Sequence, residues 1–225
     1  MGICNRSAAF RHHRGLEAKK RIRDYTILEA FCDRHVLLLV ASFFLALSGA
    51  LGNIYWIPTF VKRLSGFSDW GVTTLLIIPA LIGIAGMLAN GWHSDQSAER
   101  RFHTAIPLLV AGVMYGLLIP ARHDSALAIS FLLLGSGAYY ACLPVFWGMP
   151  TMILSGSTAA AAIGLINSIA QLGGFVGPYV IGFLNDRTHS LTASFGFIAL
   201  VYVAAGSLIL SLRIQDPLQA SKQSA

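Results

Sequence analysis

Two side-chain amides, Asn167 and Gln171, stand four residues apart in the apolar stretch TAAAAIGLINSIAQLGGFVGP (158–178). A neutral amide both donates and accepts hydrogen bonds, so a pair at helical spacing can hold either another helix or a polar ligand. At 100° per residue, Ala160, Gly164, Asn167, Gln171 and Gly174 fall along one stripe. Small residues in such a stripe admit a close neighbour, and amides bond across the gap. The residues alone leave the helix-gluing and ligand-binding readings equal. Further candidates are Asn53 and Tyr55, near the end of an earlier apolar run, and Tyr140 and Trp147, seven residues apart and so on one helical face. Aromatic rings at helical spacing more often pack than bind, and Trp56, beside Tyr55, is expected in an interfacial aromatic belt.

Other chemistries have no footing. The seven histidines sit in loops or at helix ends, with no metal-ligand spacing inside the apolar runs. Cys4, Cys32 and Cys142 are scattered, form no disulfide framework and suit a reducing compartment. The chain has no phosphate-binding loop, nucleophile elbow, HExxH or dinucleotide fingerprint. The expectation is therefore a protein that is not an enzyme and uses no cofactor.

The elements that must position these side chains are set by where the charges are not. Of 225 residues, 55% are hydrophobic and 12% charged, about half the charge of an average soluble domain; the mean hydropathy is +0.65. Uncharged runs cover 36–61, 70–94, 104–121, 125–185 and 188–212. A membrane-spanning helix needs about 20 apolar residues, and the run 125–185 is long enough for two. Pro144, Gly148 and Pro150 end the first of these, and SGST (155–158) supplies an N-cap for the second. The reading is an all-α membrane protein with six transmembrane helices at about 36–61, 71–93, 104–121, 125–146, 157–184 and 192–212. A basic cytosolic arm precedes them at 1–35, and a cytosolic tail follows at 213–225. The runs are continuous rather than alternating, which excludes a β-barrel. Six spans put both termini on one side. That side carries twelve Lys and Arg, eight of them in the arm, against Lys62, Arg63, Arg122 and Arg187 opposite. Cytoplasmic termini follow. The basic arm reads as a solvated topology signal that touches anionic headgroups, with no nucleic-acid partner.

The second span ends GWHSD (91–95) and the fifth GFLND (182–186), each Gly-x-x-x-Asp at a helix exit on opposite membrane faces. Spans two and five are equivalent if the six helices form two inverted groups of three. The loop GWHSDQSAERRFH (91–103) is similar to the major facilitator loop signature Gly-x-x-x-Asp-Arg-x-Gly-Arg-Arg, matched by Gly91, Asp95, Arg100 and Arg101, with Gln96 and Ala98 departing. Together with YWIPTFVKRLSGFS (55–68) and 155–186, it resembles the anion:cation symporter family of that superfamily. The resemblance implies half of a major facilitator fold as a 3+3 inverted repeat, corresponding to helices seven to twelve of a twelve-helix carrier. It also implies transport of tartrate-, phthalate- or hexuronate-like organic anions. It tips Asn167 towards contact with the anion and leaves Gln171 even. Asn53, Tyr55, Tyr140 and Trp147 remain candidate contacts, the rings as stacking partners for a sugar acid or walls for an aryl acid.

No Asp, Glu, Lys or Arg lies within any span. A proton-coupled carrier needs a titratable intramembrane group, and in the resembled family those groups lie in the other half. The expectation is a half or fragment in the cell membrane. Its partners would be the bilayer, a small organic anion and a complementary six-helix half, with symport arising in the full carrier. A proton-antiport exporter of amphipathic compounds and a non-transporting assembly partner are the alternatives. GGFVGP (173–178) is read as close packing ahead of a hinge.

Overall fold

The computed structural model describes residues 31–154 and 156–212. The basic arm up to residue 30, the tail from 213 and the expected cap at Ser155 lie outside the described residues. Eight helices are present among them: α1 (Arg34–Ser65), α2 (Asp69–Leu75), α3 (Ile77–Ser97), α4 (Arg101–Ala121), α5 (Ser125–Phe146), α6 (Pro150–Ile153), α7 (Gly156–Thr188) and α8 (Leu191–Ser211). With α2 joined to α3, and α5 to α6, these give six segments long and apolar enough to cross a membrane. The chain is a multi-pass membrane protein, all-α in the described residues.

Local chemistry fixes the ends. Asp33 caps α1 by accepting from the His35 and Val36 amides, and Gly66 closes it in the left-handed conformation, φ 68°. Lys62 and Arg63 occupy its last turn, where cations suit the helix dipole. Asp124 and Ser190 cap α5 and α8. The second span, expected unbroken from 71 to 93, is interrupted at Leu76. Pro79 explains the break: it has no N–H to offer the Leu75 carbonyl.

The packing is symmetric. α1 packs against α7 and α8, α5 against α3 and α4, and α4 against α8, with α1 and α5 crossing at the centre. Exchanging α1 with α5, α3 with α7 and α4 with α8 leaves this contact pattern unchanged. Successive spans alternate in direction, so the two triplets run oppositely, as an inverted repeat requires. The seams of the pairs α1–α7 and α3–α5 are built on glycine. A Cβ on Gly177 would fall inside contact distance of the Ser48 carbonyl oxygen, and one on Gly173 would stand 2.6 Å from Ser48 Oγ. Across the other seam, a Cβ on Gly86 would stand 3.0 Å from Ala141 Cβ. The GGFVGP glycines are thus packing residues. The buried centre is aromatic: Phe43 stacks on Phe146 at 4.5 Å, and Tyr202 lies 5.9 Å from Tyr115 and 5.8 Å from Tyr139. α1 is mostly buried, whereas α3 and α7 carry exposed apolar faces suited to lipid or another protein.

Candidate functional site

Near the middle of α1, Asn53 points inward and is 4% exposed. Its Nδ2 donates to Ser136 Oγ on α5 at 3.0 Å, tying together the two central helices. Ser136 Oγ donates its single proton to the Leu132 carbonyl at 2.6 Å and also lies 3.0 Å from the Tyr115 hydroxyl of α4. A hydroxyl has one donor and two acceptor positions. With the proton committed to Leu132, both lone pairs of Ser136 must accept, one from Asn53 and one from Tyr115. This fixes the Asn53 amide: its nitrogen faces Ser136, and Oδ1 is left buried without a partner. An unmet buried acceptor costs about 1–3 kcal/mol. Asn53 and Ser136 line a cavity of about 230 Å³ between α1, α2–α3, α5 and α8, with Tyr139, half-buried Tyr140 and Tyr202 in its walls. Among the described residues those three hydroxyls make no hydrogen bond. Sequence reasoning named Asn53 and Tyr140 but missed Ser136, Tyr115 and Tyr202, whose types are unremarkable in apolar runs.

Asn167 and Gln171 lie elsewhere. Both are exposed on α7, with Ala160 and Gly164, and neither makes a side-chain hydrogen bond among the described residues. Nothing stands within 4 Å of a Cβ built on Gly164. Among the described residues, then, the amides do not glue α7 to its neighbour. Gly174 leaves the stripe: its Cα faces Leu51 on α1. The register of α1 against α7, with Gly173 at Phe44 and Gly177 at Ser48, sets Asn167 level with Leu38. That is fifteen residues along α1 from Asn53, about 20 Å at 1.5 Å per residue. The amides of α7 and the α1–α5 cavity are therefore two separate polar features.

The aromatic candidates part company too. Tyr55 is 68% exposed, on the side of α1 away from Asn53. Trp147 is the C-cap of α5, still in the right-handed helical conformation with its amide on the Leu143 carbonyl at 3.2 Å; its ring packs edge-on against Phe43 and Phe146, at 4.9 and 5.4 Å. Trp56, half-buried, donates its indole N–H to the Pro178 carbonyl at 3.2 Å, across the α1–α7 seam.

The loop joining α3 to α4 forms a compact charged knot. Asp95 pairs with Arg100 at 3.2 Å. The Arg100 guanidinium occupies the space over Gly148, just beyond the end of α5, and Arg101 donates to the Leu210 carbonyl in the last turn of α8. Both cations thus sit at helix C-termini, where carbonyls are unpaired and the dipole is negative. Glu99 caps α4 through the Phe102 and His103 amides, at 2.9 and 3.4 Å. It also pairs with His103 Nδ1 at 3.0 Å, while His103 Nε2 meets His93 Nδ1 at 2.6 Å. Gly91 is not sterically required, since a Cβ there would meet Pro144 at an ordinary 3.8 Å. At the opposite end of the bundle, Arg63 of α1 donates to Asn185 of α7 at 2.8 Å. That is the end where GFLND closes its helix. No group of three His, Cys, Asp or Glu among the described residues is placed to hold a metal ion.

The Major Facilitator Superfamily model matches residues 6–178. The chain is 34% identical over 198 residues to a protein named as a tartrate transporter in Agrobacterium vitis, covering 87% of this chain and 45% of that protein. It is 31% identical over 195 residues to a quinolone resistance transporter of Acinetobacter baumannii (87% and 44%). It is 36% identical over 172 residues to the inner membrane transport protein RhmT of Escherichia coli strain K12 (72% and 38%). The chain spans less than half the length of each of these relatives.

Proposed function

The chain belongs to the Major Facilitator Superfamily, and from that premise we propose that it is the second six-helix half of a secondary carrier for small organic anions. The observation that carries this reading is the pair of amides, Asn167 and Gln171, exposed and without hydrogen-bond partners among the described residues, in the apolar part of α7. Unmet amides facing hydrocarbon are costly. They are satisfied if α7 faces a wet cavity shared with a complementary half. In that arrangement this chain supplies neutral hydrogen bonds to the anion. No Asp, Glu, Lys, Arg or His lies in the interior of its spans, so charge neutralisation and proton coupling fall to the other half. Asn53 and Tyr140, at the α1–α5 cavity, provide a second neutral surface, and Tyr55 and Trp147 have weaker claims from their positions. The knot of Asp95, Arg100 and Arg101 ties the α3–α4 loop to the ends of α5 and α8. It thereby holds one end of the bundle as a unit during alternating access. The Lys and Arg bias places that end, and both termini, in the cytoplasm, in a cell membrane.

A second reading, export of amphipathic compounds by proton antiport, draws on the relative named for quinolone resistance. The two separate in one assay on the assembled carrier in vesicles. Entry of labelled tartrate or hexuronate under an inward proton gradient, unaffected by a fluoroquinolone, is expected. Fluoroquinolone movement against the gradient without anion uptake would sink the organic-anion reading.

A further inference from the structure

α4 and α5 each hold a proline inside the helix, Pro107 and Pro144, close to the end of the bundle that carries the charged loop. Proline has no N–H, so each leaves the carbonyl four residues earlier without its helical donor and pushes it aside. In α4 that carbonyl belongs to His103; in α5 it belongs to Tyr140, and Ala141 lies in the same loosened turn. Asn90 of α3 reaches both helices. Its Nδ2 donates to the His103 carbonyl at 2.7 Å and to the Ala141 carbonyl at 2.8 Å. An amide nitrogen carries two hydrogens, and both are used. Carbonyls only accept, so the nitrogen must be the atom that faces them. Gly91, the next residue, lies against Pro144, so α3 meets α5 at its proline.

We propose that Asn90 is a positioning residue for the α3–α4 loop: its amide supplies the hydrogen bond that Pro107 takes from α4, and so fixes where Arg100 and Arg101 bear on the ends of α5 and α8. The loop's part in transport rests on the function proposed above; the bonding at Pro107 does not. His103 is the node. Glu99 holds its amide and its ring, at 3.4 and 3.0 Å, but Glu99 precedes the same turn and would swing with it. The His93 ring and the Ser94 hydroxyl, which donates to the Glu99 carbonyl at 2.8 Å, tie the loop back to the end of α3. Asn90 adds what they lack, a single side chain that joins the first turn of α4 to α5. Arg101 opens that turn and reaches the Leu210 carbonyl, and Arg100 precedes it and lies over Gly148. Without the Asn90 amide the turn is free to pivot at Pro107, where the helical bond is missing, and both cations move with it.

His103–Thr104 is the single His–Thr step in the sequence. The purified chain in lipid nanodiscs, isotope-labelled at histidine carbonyls and threonine nitrogens, therefore reports this carbonyl as one NMR cross-peak. Asn90→Leu, which removes both donors, is expected to move the peak upfield, as a carbonyl does on losing a hydrogen bond, and to speed amide exchange across 94–103. Adding Pro107→Ala returns a main-chain N–H to the His103 carbonyl and should reverse both changes. Turnover is read in the carrier assembled from this chain and the unmatched part of the Agrobacterium vitis relative. There Asn90→Leu should lower turnover about tenfold, the rate equivalent of one or two net hydrogen bonds. The half-saturating anion concentration should stay within about twofold, and Pro107→Ala should recover most of the turnover. A peak that stays in place, an undiminished turnover, or a loss that Pro107→Ala does not repair overturns the proposal. A loss of affinity matching the loss of turnover would put Asn90 at the anion and overturn it as well. Should Asn90→Leu fail to fold, the double variant is compared with Pro107→Ala: equal peak positions and turnover are expected, and a slower double variant overturns the proposal. If the wild-type pair moves no organic anion, the function proposed above fails, and the peak position and loop exchange alone decide whether Asn90 positions the loop.

Discussion

Asn167 sits on α7 with an open surface around it and no bond to the rest of the chain among the described residues, so removing its amide should leave folding alone and touch only what α7 faces. In the assembled carrier, Asn167→Ala is expected to weaken the apparent affinity for the anion about tenfold, the worth of one hydrogen bond to a charged group. The unfolding midpoint of the purified chain should not move; a lower midpoint with unchanged affinity would return Asn167 to a structural role. Asp95 behaves differently. Its pair with Arg100 is largely exposed, and exposed pairs contribute under about 1 kcal/mol. Asp95→Asn should therefore barely change stability or substrate affinity. It should slow turnover, because Arg100 loses the partner that aims it over Gly148 at the end of α5. Unchanged turnover in a single-turnover efflux assay would show that Arg100 needs no such guide.

The glycines of α7 allow the same kind of test between elements. Gly177 lies against the α1 backbone, while Gly164 faces open space. Gly177→Ala should push α1 and α7 apart and cost about 1–3 kcal/mol, the usual range for overpacking. Gly164→Ala should be neutral or stabilise by up to about 1 kcal/mol through helix propensity. Equal midpoints for the two variants in denaturant titrations would contradict the seam. The spans were legible in the sequence because charge cannot be left in hydrocarbon, so uncharged runs such as 36–61 mark them. The inverted repeat showed itself in the paired Gly-x-x-x-Asp exits. The cavity was only half visible: Asn53 stood out as an amide in an apolar run, but Ser136 and Tyr115 acquire meaning only when α1, α4 and α5 meet, since a Ser or Tyr in such a run is ordinarily silent. The partners of Trp147 could not be read from its spacing to Tyr140, since the Phe43 ring it packs against comes from α1. Pro79 carries a readable signal for the break at Leu76, whereas the Pro178 carbonyl that holds the Trp56 indole is a partner that only the meeting of α1 and α7 supplies.

At the scale of the molecule, six spans and a one-sided excess of Lys and Arg carry the proposal that both termini are cytoplasmic. Reporter fusions after Lys222 and within the loop 122–124 should give opposite signals, the former cytoplasmic; matching signals would overturn that topology. The larger claim is that the chain is a half whose exposed α7 amides await a complement. Its relatives are more than twice as long as the segment they share with it, and its spans hold no Asp, Glu, Lys, Arg or His in their interior, so proton-driven transport is not expected of it alone. The most direct measurement is uptake of labelled organic anion into proteoliposomes under an inward proton gradient. One preparation holds this purified chain alone; the other holds it together with the part of the Agrobacterium vitis relative that it does not match. No uptake above empty liposomes for the chain alone, and gradient-dependent uptake for the pair that Asn167→Ala diminishes, is the predicted result. Gradient-driven uptake by the chain alone, lost on Asn167→Ala, would contradict the account and identify a self-assembling half that carries its own coupling chemistry.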